Sequence, residues 1–236
     1  MGEALVIGCG EVGTALIDVL SDAHQVASID IDEPIGEWDQ CALWSPDVMH
    51  ICFPYSDLFV ADVERYNQFY EPEHLVIHST VPVGTSLRCR ASHSPVIGLH
   101  PNLEQSLRTF TKFIGGPDAG PAAEHLRRAG LRVYVFDKAE TCELMKLMST
   151  LYYATCIEFT KDVKRMCGDA GVPFEAWTLW TDNYNAGYQA LGRAEYTRPN
   201  LTHIPGTIGG HCLLPNADLL DGDFAELVRR RNEDDD

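Results

Sequence analysis

The chain has 236 residues, of which 45% are hydrophobic and 22% charged, which excludes an intrinsically disordered protein. Acidic residues outnumber basic ones by 35 to 18, and the net charge of −17 argues against nucleic acid or an anionic membrane as the main partner. No apolar run approaches the roughly 20 residues of a membrane-spanning helix. No signal-like segment precedes the first strand, so we expect a cytoplasmic protein.

The cysteines do not form a recognisable metal or redox motif. All eight are scattered along the chain and no two form a CxxC pair, so neither a zinc ribbon nor a thioredoxin motif is expected. We therefore predict no metal site and reduced thiols.

Apolar runs and helical periodicity alternate along the first part of the chain. Strands are predicted at 4–7, 26–31, 48–53, 75–78, 95–99, 112–114 and 131–136, and helices at 12–20, 57–70 and 121–129. The repeated β-α-β order, with nearly continuous apolar strands, predicts an α/β fold with a doubly wound parallel Rossmann sheet.

After residue 137 the pattern becomes helical. Residues 139–167 contain no Gly or Pro and have apolar residues at helical spacing, which predicts one long central helix that Gly168 ends. A second helix is predicted over 173–191. Its aromatic residues indicate core or a dimer seam, or else a wall for substrate stacking; they are Trp177, Trp180, Tyr184 and Tyr188. We therefore expect an NAD-binding domain, 1–137, and a smaller all-helical domain for substrate binding and dimerisation, 138–236, which ends in an acidic tail.

A glycine-rich turn follows the first predicted strand. The segment Gly8-Cys9-Gly10-Glu11-Val12-Gly13 is a GxGxxG that opens the first helix, which is the context in which this motif binds a dinucleotide. Gly8 permits the tight turn, Gly10 lets the backbone approach the pyrophosphate, and Gly13 lets the helix pack closely on the sheet. The helix N-terminus then offers N–H groups to the phosphates.

The carboxylate of Asp30 is expected to select the cofactor. Asp30 lies near the end of the second predicted strand, where it can bind the ribose hydroxyls and repel a 2′-phosphate, which favours NAD over NADP. Asp32 is the competing carboxylate. The cofactor contacts expected from this half of the chain are Gly8, Gly10, Glu11, Val12, Gly13, Asp30 and Pro54.

Three further strings follow in a set order. They are His78-Ser79-Thr80-Val81-Pro82-Val83-Gly84-Thr85 after the fourth strand, Glu143-x-x-Lys146 in the long helix, and Gly209-Gly210-His211-Cys212. In this order, after a GxGxxG, they resemble the UDP-glucose/GDP-mannose 6-dehydrogenase family over about residues 1–216.

The resemblance implies oxidation of a primary alcohol to a carboxylate with two NAD, through a thiohemiacetal and a thioester on a cysteine. By motif match Cys212 would be this nucleophile, and Lys146 would act as acid/base or stabilise the oxyanion. Thr80 would lie near the nicotinamide and the catalytic water, so it is also a cofactor contact. Related two-domain dehydrogenases pair through the long helix, and apolar positions on both sides of residues 144–163 predict a homodimer here.

The chain departs from the family at three polar positions. Thr150 replaces an asparagine, Asn216 a carboxylate and Asn102 a glutamate. An amide cannot take a proton, so thioester hydrolysis lacks its expected base, although Asn216 and Asn102 are still expected to line the site. The family continues with a second Rossmann-like domain where only 24 residues follow Cys212, so an ordinary nucleotide-sugar site is not expected.

Two other hypotheses remain open. Gly98-Leu99-His100-Pro101 resembles a segment of prephenate dehydrogenases, which implies a two-electron dehydrogenase of a small hydroxy acid or a prephenate-like substrate, with His100 or Lys146 as base. The third hypothesis is an NAD-binding protein without catalysis. His211 is a further candidate base, and Arg193 and Arg198 are the basic residues expected to hold an acid or a phosphate.

Overall fold

The computed structural model describes residues 2–30, 45–209 and 213–234. The chain forms two compact units, Met1–Lys146 and Leu147–Asp236. Three sequence-predicted candidates, Asp32, His211 and Cys212, lie outside the described residues.

The first unit alternates strands and helices. Its strands are β1 (Gly2–Ile7), β2 (His24–Ile29), β3 (Val48–Ile51), β4 (His74–Ile77), β5 (Ser92–His93), β6 (Lys112–Gly115) and β7 (Val133–Phe136). Its helices are α1 (Glu11–Leu20), α2 (Phe59–Tyr70), α3 (Thr85–Arg88), α4 (Leu103–Thr109) and α5 (Ala119–Arg128).

The long helix α6 (Ala139–Asp169) begins in the first unit, and the remaining helices belong to the second. These are α7 (Glu175–Ala190), a 3-10 turn (Ala194–Tyr196), α8 (Leu213–Asp218) and α9 (Asp223–Asp234). No helix among the described residues is long and apolar enough to cross a membrane.

The seven strands form one sheet in the order β2-β1-β3-β4-β5-β6-β7. Neighbouring strands are parallel except for β5 and β6, which are antiparallel. The predicted doubly wound Rossmann fold is thereby confirmed. The strand order reverses beside β1, and this switch point is where such sheets open a ligand crevice at the carboxyl ends of their strands.

Alternation along the strands divides the hydrophobic core between the two faces of the sheet. On β1, Ala4 and Val6 face a cluster that includes α1 and α5, whereas Leu5 and Ile7 face a cluster that includes α2. In the second unit, α6, α8 and α9 share a smaller core, whose fully buried members are Ala154 and Val228.

Two sequence-based boundaries are wrong. The strand predicted at 95–99 is a two-residue strand, Ser92–His93, followed by an unpaired extended segment. Pro95 has no N–H to donate to a neighbouring strand. The carbonyl oxygens of Ser94 and Pro95 instead accept hydrogen bonds from Lys112 Nζ, at 2.5 and 2.9 Å. Gly168 does not end α6, which continues to Asp169.

Five of the nine histidines are buried in the first unit: His24, His50, His78, His93 and His125. His50 Nδ1 and His78 Nε2 share a hydrogen bond of 2.9 Å, and His78 Nδ1 contacts the Ser94 carbonyl at 2.8 Å. Burial lowers the pKa of His50 and of His78 well below the ordinary value, and lowers the pKa of His93 to about 4. These rings are therefore neutral in the folded protein at neutral pH.

We predict that acid destabilises this unit earlier than carboxylate titration alone would. Below pH about 6.5 His50, His78 and His93 take up protons in the unfolded chain but not in the folded one, so the free energy of unfolding falls by up to about 1.4 kcal/mol per pH unit for each of these three rings. Urea unfolding followed by circular dichroism between pH 7.5 and 5.0 measures this slope. His50→Asn should reduce the slope even if it lowers stability throughout, and an unchanged slope in this variant would contradict the prediction.

Candidate cofactor and catalytic site

The glycine turn has the close contacts that its sequence predicts. Gly8 has φ +96°, and a Cβ added there would lie 2.7 Å from the Phe53 nitrogen. A Cβ on Gly13 would lie 1.8 Å from the Gly8 carbonyl oxygen, so α1 can approach the sheet only without a side chain at this position. A Cβ on Gly10 would meet nothing within 4 Å, which leaves the backbone open to a ligand.

The turn joins the carboxyl ends of three adjacent strands. The Gly8 N–H donates to the Ile29 carbonyl at 2.8 Å, and the Cys52 N–H donates to the Ile7 carbonyl at 2.8 Å. Asp30 follows Ile29 directly and is half-buried, so the residue expected to bind the ribose begins beside the glycine turn. Pro54 is exposed after β3 at the same edge.

The glycine turn lines a cavity of about 670 Å³ at the N-terminus of α1. A second cavity, of about 710 Å³, is lined by residues of the second unit. The other wall of the cavity at α1 is formed by residues 101–105, including Asn102. The first N–H groups of α1 have no partner within the helix and are available to an anion. The open face of Gly10, this helix end and the adjoining cavity fit the pyrophosphate of a dinucleotide.

His100 lies beside the same helix end. Its Nδ1 forms an ion pair with the carboxylate of Glu11, and both side chains are largely exposed. His100 is thus placed next to the glycine turn and beside the one acidic residue of the first turn of α1. The contact occupies part of the Glu11 carboxylate at the helix end that is offered to a phosphate.

The turn that carries Thr80 is fixed from both sides. The Ser79 hydroxyl donates to the Phe53 carbonyl at 2.6 Å, and His93 Nε2 lies 3.0 Å from the Ser79 carbonyl oxygen. Thr80 itself is half-buried at the carboxyl end of β4. The adjoining strand ends of β3, β4 and β5 thereby hold Thr80 in place.

Glu143 ties α6 to this turn. Its carboxylate is 1% exposed and accepts the N–H groups of Gly84 and Ser86, at 2.6 and 2.7 Å, at the start of α3. A carboxylate that accepts two backbone N–H groups satisfies its charge without a cation. The first turns of α6 are therefore fixed to the loop after β4.

Lys146 lies one turn further along α6. Its half-buried Nζ donates to the Val96 carbonyl at 2.8 Å, in the segment after β5. Within the first unit, the glycine turn, Asp30, Thr80 and Lys146 therefore all belong to segments at the carboxyl edge of the sheet.

Two positions that depart from the family pattern are paired within the second unit. The buried Asn216 amide donates to the Thr150 hydroxyl at 3.4 Å, and the Thr150 hydroxyl also donates to the Leu147 carbonyl at 2.8 Å. Neither group can accept a proton from water at neutral pH. Asn102 precedes α4, where it lines the cavity beside α1.

The arginines expected to hold an anion already have partners. Arg193 Nε lies 2.5 Å from the Glu195 carboxylate, and its guanidinium also contacts the Tyr196 hydroxyl at 2.9 Å. The Arg198 guanidinium stacks over the Tyr184 ring at 3.7 Å. Both side chains serve local structure around α7, where Trp180 is 70% exposed and does not belong to a core.

Several residues of this site carry no clear sequence signal. Glu143 stands out in the sequence only by its spacing of three residues before Lys146, which indicates that both lie on one helix face. Lys112 and the five histidines lie within apolar strand and helix patterns. Burial raises the pKa of Cys52 to about 12 and that of Cys89 to about 11, which makes both thiols poor nucleophiles. Within the described ranges, no three His, Cys, Asp or Glu residues are grouped to hold a metal ion.

Comparisons with known proteins identify the fold. No protein-family model and no curated protein matches the chain. UDP-D-ManNAc dehydrogenase from Pyrococcus horikoshii matches with a TM-score of 0.79 at 19% identity, covering 98% of this chain and 68% of that one. NDP-N-acetyl-D-galactosaminuronic acid dehydrogenase from Methanosarcina mazei matches with a TM-score of 0.73 at 14% identity, covering 99% and 66%.

A smaller dehydrogenase matches over nearly its whole length. Mycobacterium tuberculosis 3-hydroxyisobutyrate dehydrogenase has a TM-score of 0.70 at 12% identity, covering 98% of this chain and 92% of that one. The chain thus spans about two thirds of the two nucleotide-sugar enzymes and most of the hydroxy-acid enzyme. At these identities the likeness establishes the fold alone, a Rossmann sheet followed by a helical part.

We predict that two alanine substitutions in the glycine turn affect different properties, one the stability of the fold and the other the binding of NAD. Gly13→Ala should lower the free energy of unfolding by at least about 1–3 kcal/mol, because its methyl group would clash with the Gly8 carbonyl. Gly10→Ala, the matched control, should change stability by no more than about 0.5 kcal/mol but weaken NAD binding more than about tenfold, since its methyl would occupy the surface offered to the pyrophosphate. Thermal unfolding and fluorescence titration measure both. Undiminished NAD binding by Gly10→Ala would contradict this location for the pyrophosphate.

Proposed function

We propose that this protein is an NAD-dependent dehydrogenase that oxidises a CH–OH donor, with Lys146 as the group that exchanges the hydroxyl proton. The observation that carries the proposal is the placement, within one unit, of a glycine turn open to a pyrophosphate and of an anchored lysine on segments at the same edge of the sheet. The dehydrogenase-type fold supports the same reaction class.

The cofactor proposed is NAD, which when bound supplies the oxidant by accepting a hydride. The glycine turn and the N-terminus of α1 would hold its pyrophosphate, with Glu11, Val12 and Pro54 around them. The Asp30 carboxylate would accept hydrogen bonds from the adenosine ribose, and its charge would repel the 2′-phosphate of NADP.

The cofactor preference is directly testable. Asp30→Ala should reduce the ratio of the NADP to the NAD dissociation constant several-fold, because the repulsive charge and the ribose acceptor are removed together. Titrations with both cofactors measure this ratio, and Asp221→Ala, at an exposed position of the second unit, provides a control of equal charge change. Equal dissociation constants in the unmutated protein would remove the assignment.

Lys146 would accept the proton of the substrate hydroxyl group. The Val96 carbonyl directs its Nζ, and Glu143 fixes the helix turn that precedes it. A positioned amine can accept the hydroxyl proton as the hydride leaves and then donate a hydrogen bond to the new carbonyl. Thr80, at the end of β4, would contact the nicotinamide end of the cofactor or the water beside it.

The extent of oxidation would depend on whether a cysteine takes part. Cys212 remains the proposed nucleophile for an aldehyde intermediate, forming a thiohemiacetal whose oxidation by a second NAD gives a thioester. The pairing of Asn216 with Thr150 supports a site that lacks the base for hydrolysing this thioester. We therefore propose that oxidation ends after one NAD, or that a thioester accumulates on Cys212. The first outcome is also that of a two-electron hydroxy-acid dehydrogenase with Lys146 or His100 as base.

One set of measurements tests the reaction class. Lys146→Met should abolish NADH formation on a panel of hydroxy acids and UDP-sugars while NAD affinity stays within about twofold, and Lys138→Met on the exposed segment before α6 should retain activity. NADH formed per product, together with intact-protein mass spectrometry, then separates the alternatives. If activity survives in Cys212→Ala, the thiol is a bystander.

Two results would overturn the proposal. A collapse of NAD affinity in Lys146→Met would assign the lysine to the cofactor or to the fold. NAD binding without turnover on the whole panel would favour the non-catalytic hypothesis. Two NADH per carboxylate, with no adduct, would instead show that a base other than Asn216 serves hydrolysis.

We also propose a homodimer formed through α6 and α7. Apolar side chains on these helices are strongly exposed in a single chain: Met148, Tyr152, Tyr153, Phe159, Met166, Leu179 and Trp180. An exposed apolar surface of this extent is typical of a protein interface.

A further inference from the structure

A basic cavity lies in the second unit, apart from every residue assigned above. Its volume is about 710 Å³, and its walls are formed by α6, α9 and the loop 203–206. Five of the seven Lys, Arg, Asp and Glu residues that line it are cations: Lys161, Lys164, Arg165, Arg230 and Arg231. Acidic residues outnumber basic ones almost two to one in the whole chain, so this cavity reverses the charge of its surroundings.

Two carboxylates in the cavity wall orient part of this cluster. The buried Glu158 contacts Lys161 Nζ at 2.8 Å and Arg231 Nε at 3.6 Å. Asp162 contacts the Arg165 guanidinium at 2.8 Å and also pairs with Arg231. Hydrogen bonds from Arg165 and then Arg231 lower the pKa of Asp162, so it stays ionised and holds these groups in place.

The wall of the cavity contains too few carboxylates to pair with every cation that lines it. The Lys164 ammonium lies 5.5 Å from the Phe174 ring centroid, and the same ring packs edge-on against His203 at 6.1 Å. Arg230 is exposed on α9. Among the described residues that line the cavity, cations outnumber carboxylates by five to two, and such a concave site attracts a multiply charged anion.

We propose that this cavity binds a small molecule carrying a diphosphate or triphosphate group. Guanidinium groups bind phosphate oxygens in bidentate fashion, and two ammonium groups add charge without geometric demand. The volume lies in the range of nucleotide-sized and drug-sized ligands, whereas a concave site in so acidic a protein does not suit a nucleic acid backbone. Its lining residues include none of the glycine turn, so its ligand would be additional to the dinucleotide.

Inorganic pyrophosphate is the probe for the test, by isothermal titration calorimetry on the full chain saturated with NAD. We expect saturable binding at one site per chain and at least a tenfold weaker dissociation constant in Lys164→Gln/Arg230→Gln. The control, Arg65→Gln/Arg128→Gln, removes two exposed cations of the first unit that form i,i+3 and i,i+4 ion pairs, and should change the constant less than twofold. Thermal unfolding and NAD titration verify that both variants are folded.

Three results would overturn the proposal. The first is the absence of saturable pyrophosphate binding at 0.1 M salt. The second is an equal loss of affinity in the control variant, which would show that binding depends only on the net charge of the protein. The third is unchanged affinity in the cavity variant. A titration without NAD gives one further check. If NAD then displaces all of the bound pyrophosphate competitively, the pyrophosphate lies at the glycine turn. None of these outcomes depends on turnover, so the test is independent of the proposed oxidation step.

Discussion

The arrangement of the candidate site depends on one buried carboxylate. Glu143 accepts two backbone N–H groups at the start of α3 and so fixes the first turns of α6 against the loop that follows β4. The loop carries Thr80, and the next turn of the helix carries Lys146. Removing the carboxylate would leave two buried donors without an acceptor, each costing about 1–3 kcal/mol. The same interaction therefore supports the fold and sets the spacing of the proposed chemistry.

The interior of the first unit contains several buried polar side chains. His50 and His78 bond to one another through the core, and Lys112, which is 3% exposed, crosses under β5 to bind two carbonyls. These bonds compensate for a strand, β5, that pairs over only two residues. Side-chain donors thus take over part of the work that ladder hydrogen bonds perform in the longer strands.

Features that depend on residues close together in the sequence were predictable, whereas features that depend on residues far apart in the sequence were not. The Rossmann sheet and the glycine turn were predictable because Gly8, Gly10 and Gly13 act within one turn of chain and apolar runs mark the strands. The strand predicted at 95–99 was wrong because the same apolar run serves an unpaired segment whose carbonyls bind lysines. The basic cavity was not predictable, since Lys164 and Arg230 lie 66 positions apart and each belongs to an ordinary amphipathic helix.

The segment after β5 connects two lysines electrostatically. The consecutive carbonyls of Ser94 and Pro95 bind Lys112, and that of Val96 binds Lys146. Burial lowers the pKa of Lys112 to about 7, and the positive charge of Lys146 contributes in the same direction. The protonation of Lys112 near neutral pH therefore depends on the charge carried by Lys146. Three consecutive carbonyls thus place two cations close enough that the charge of one affects the other.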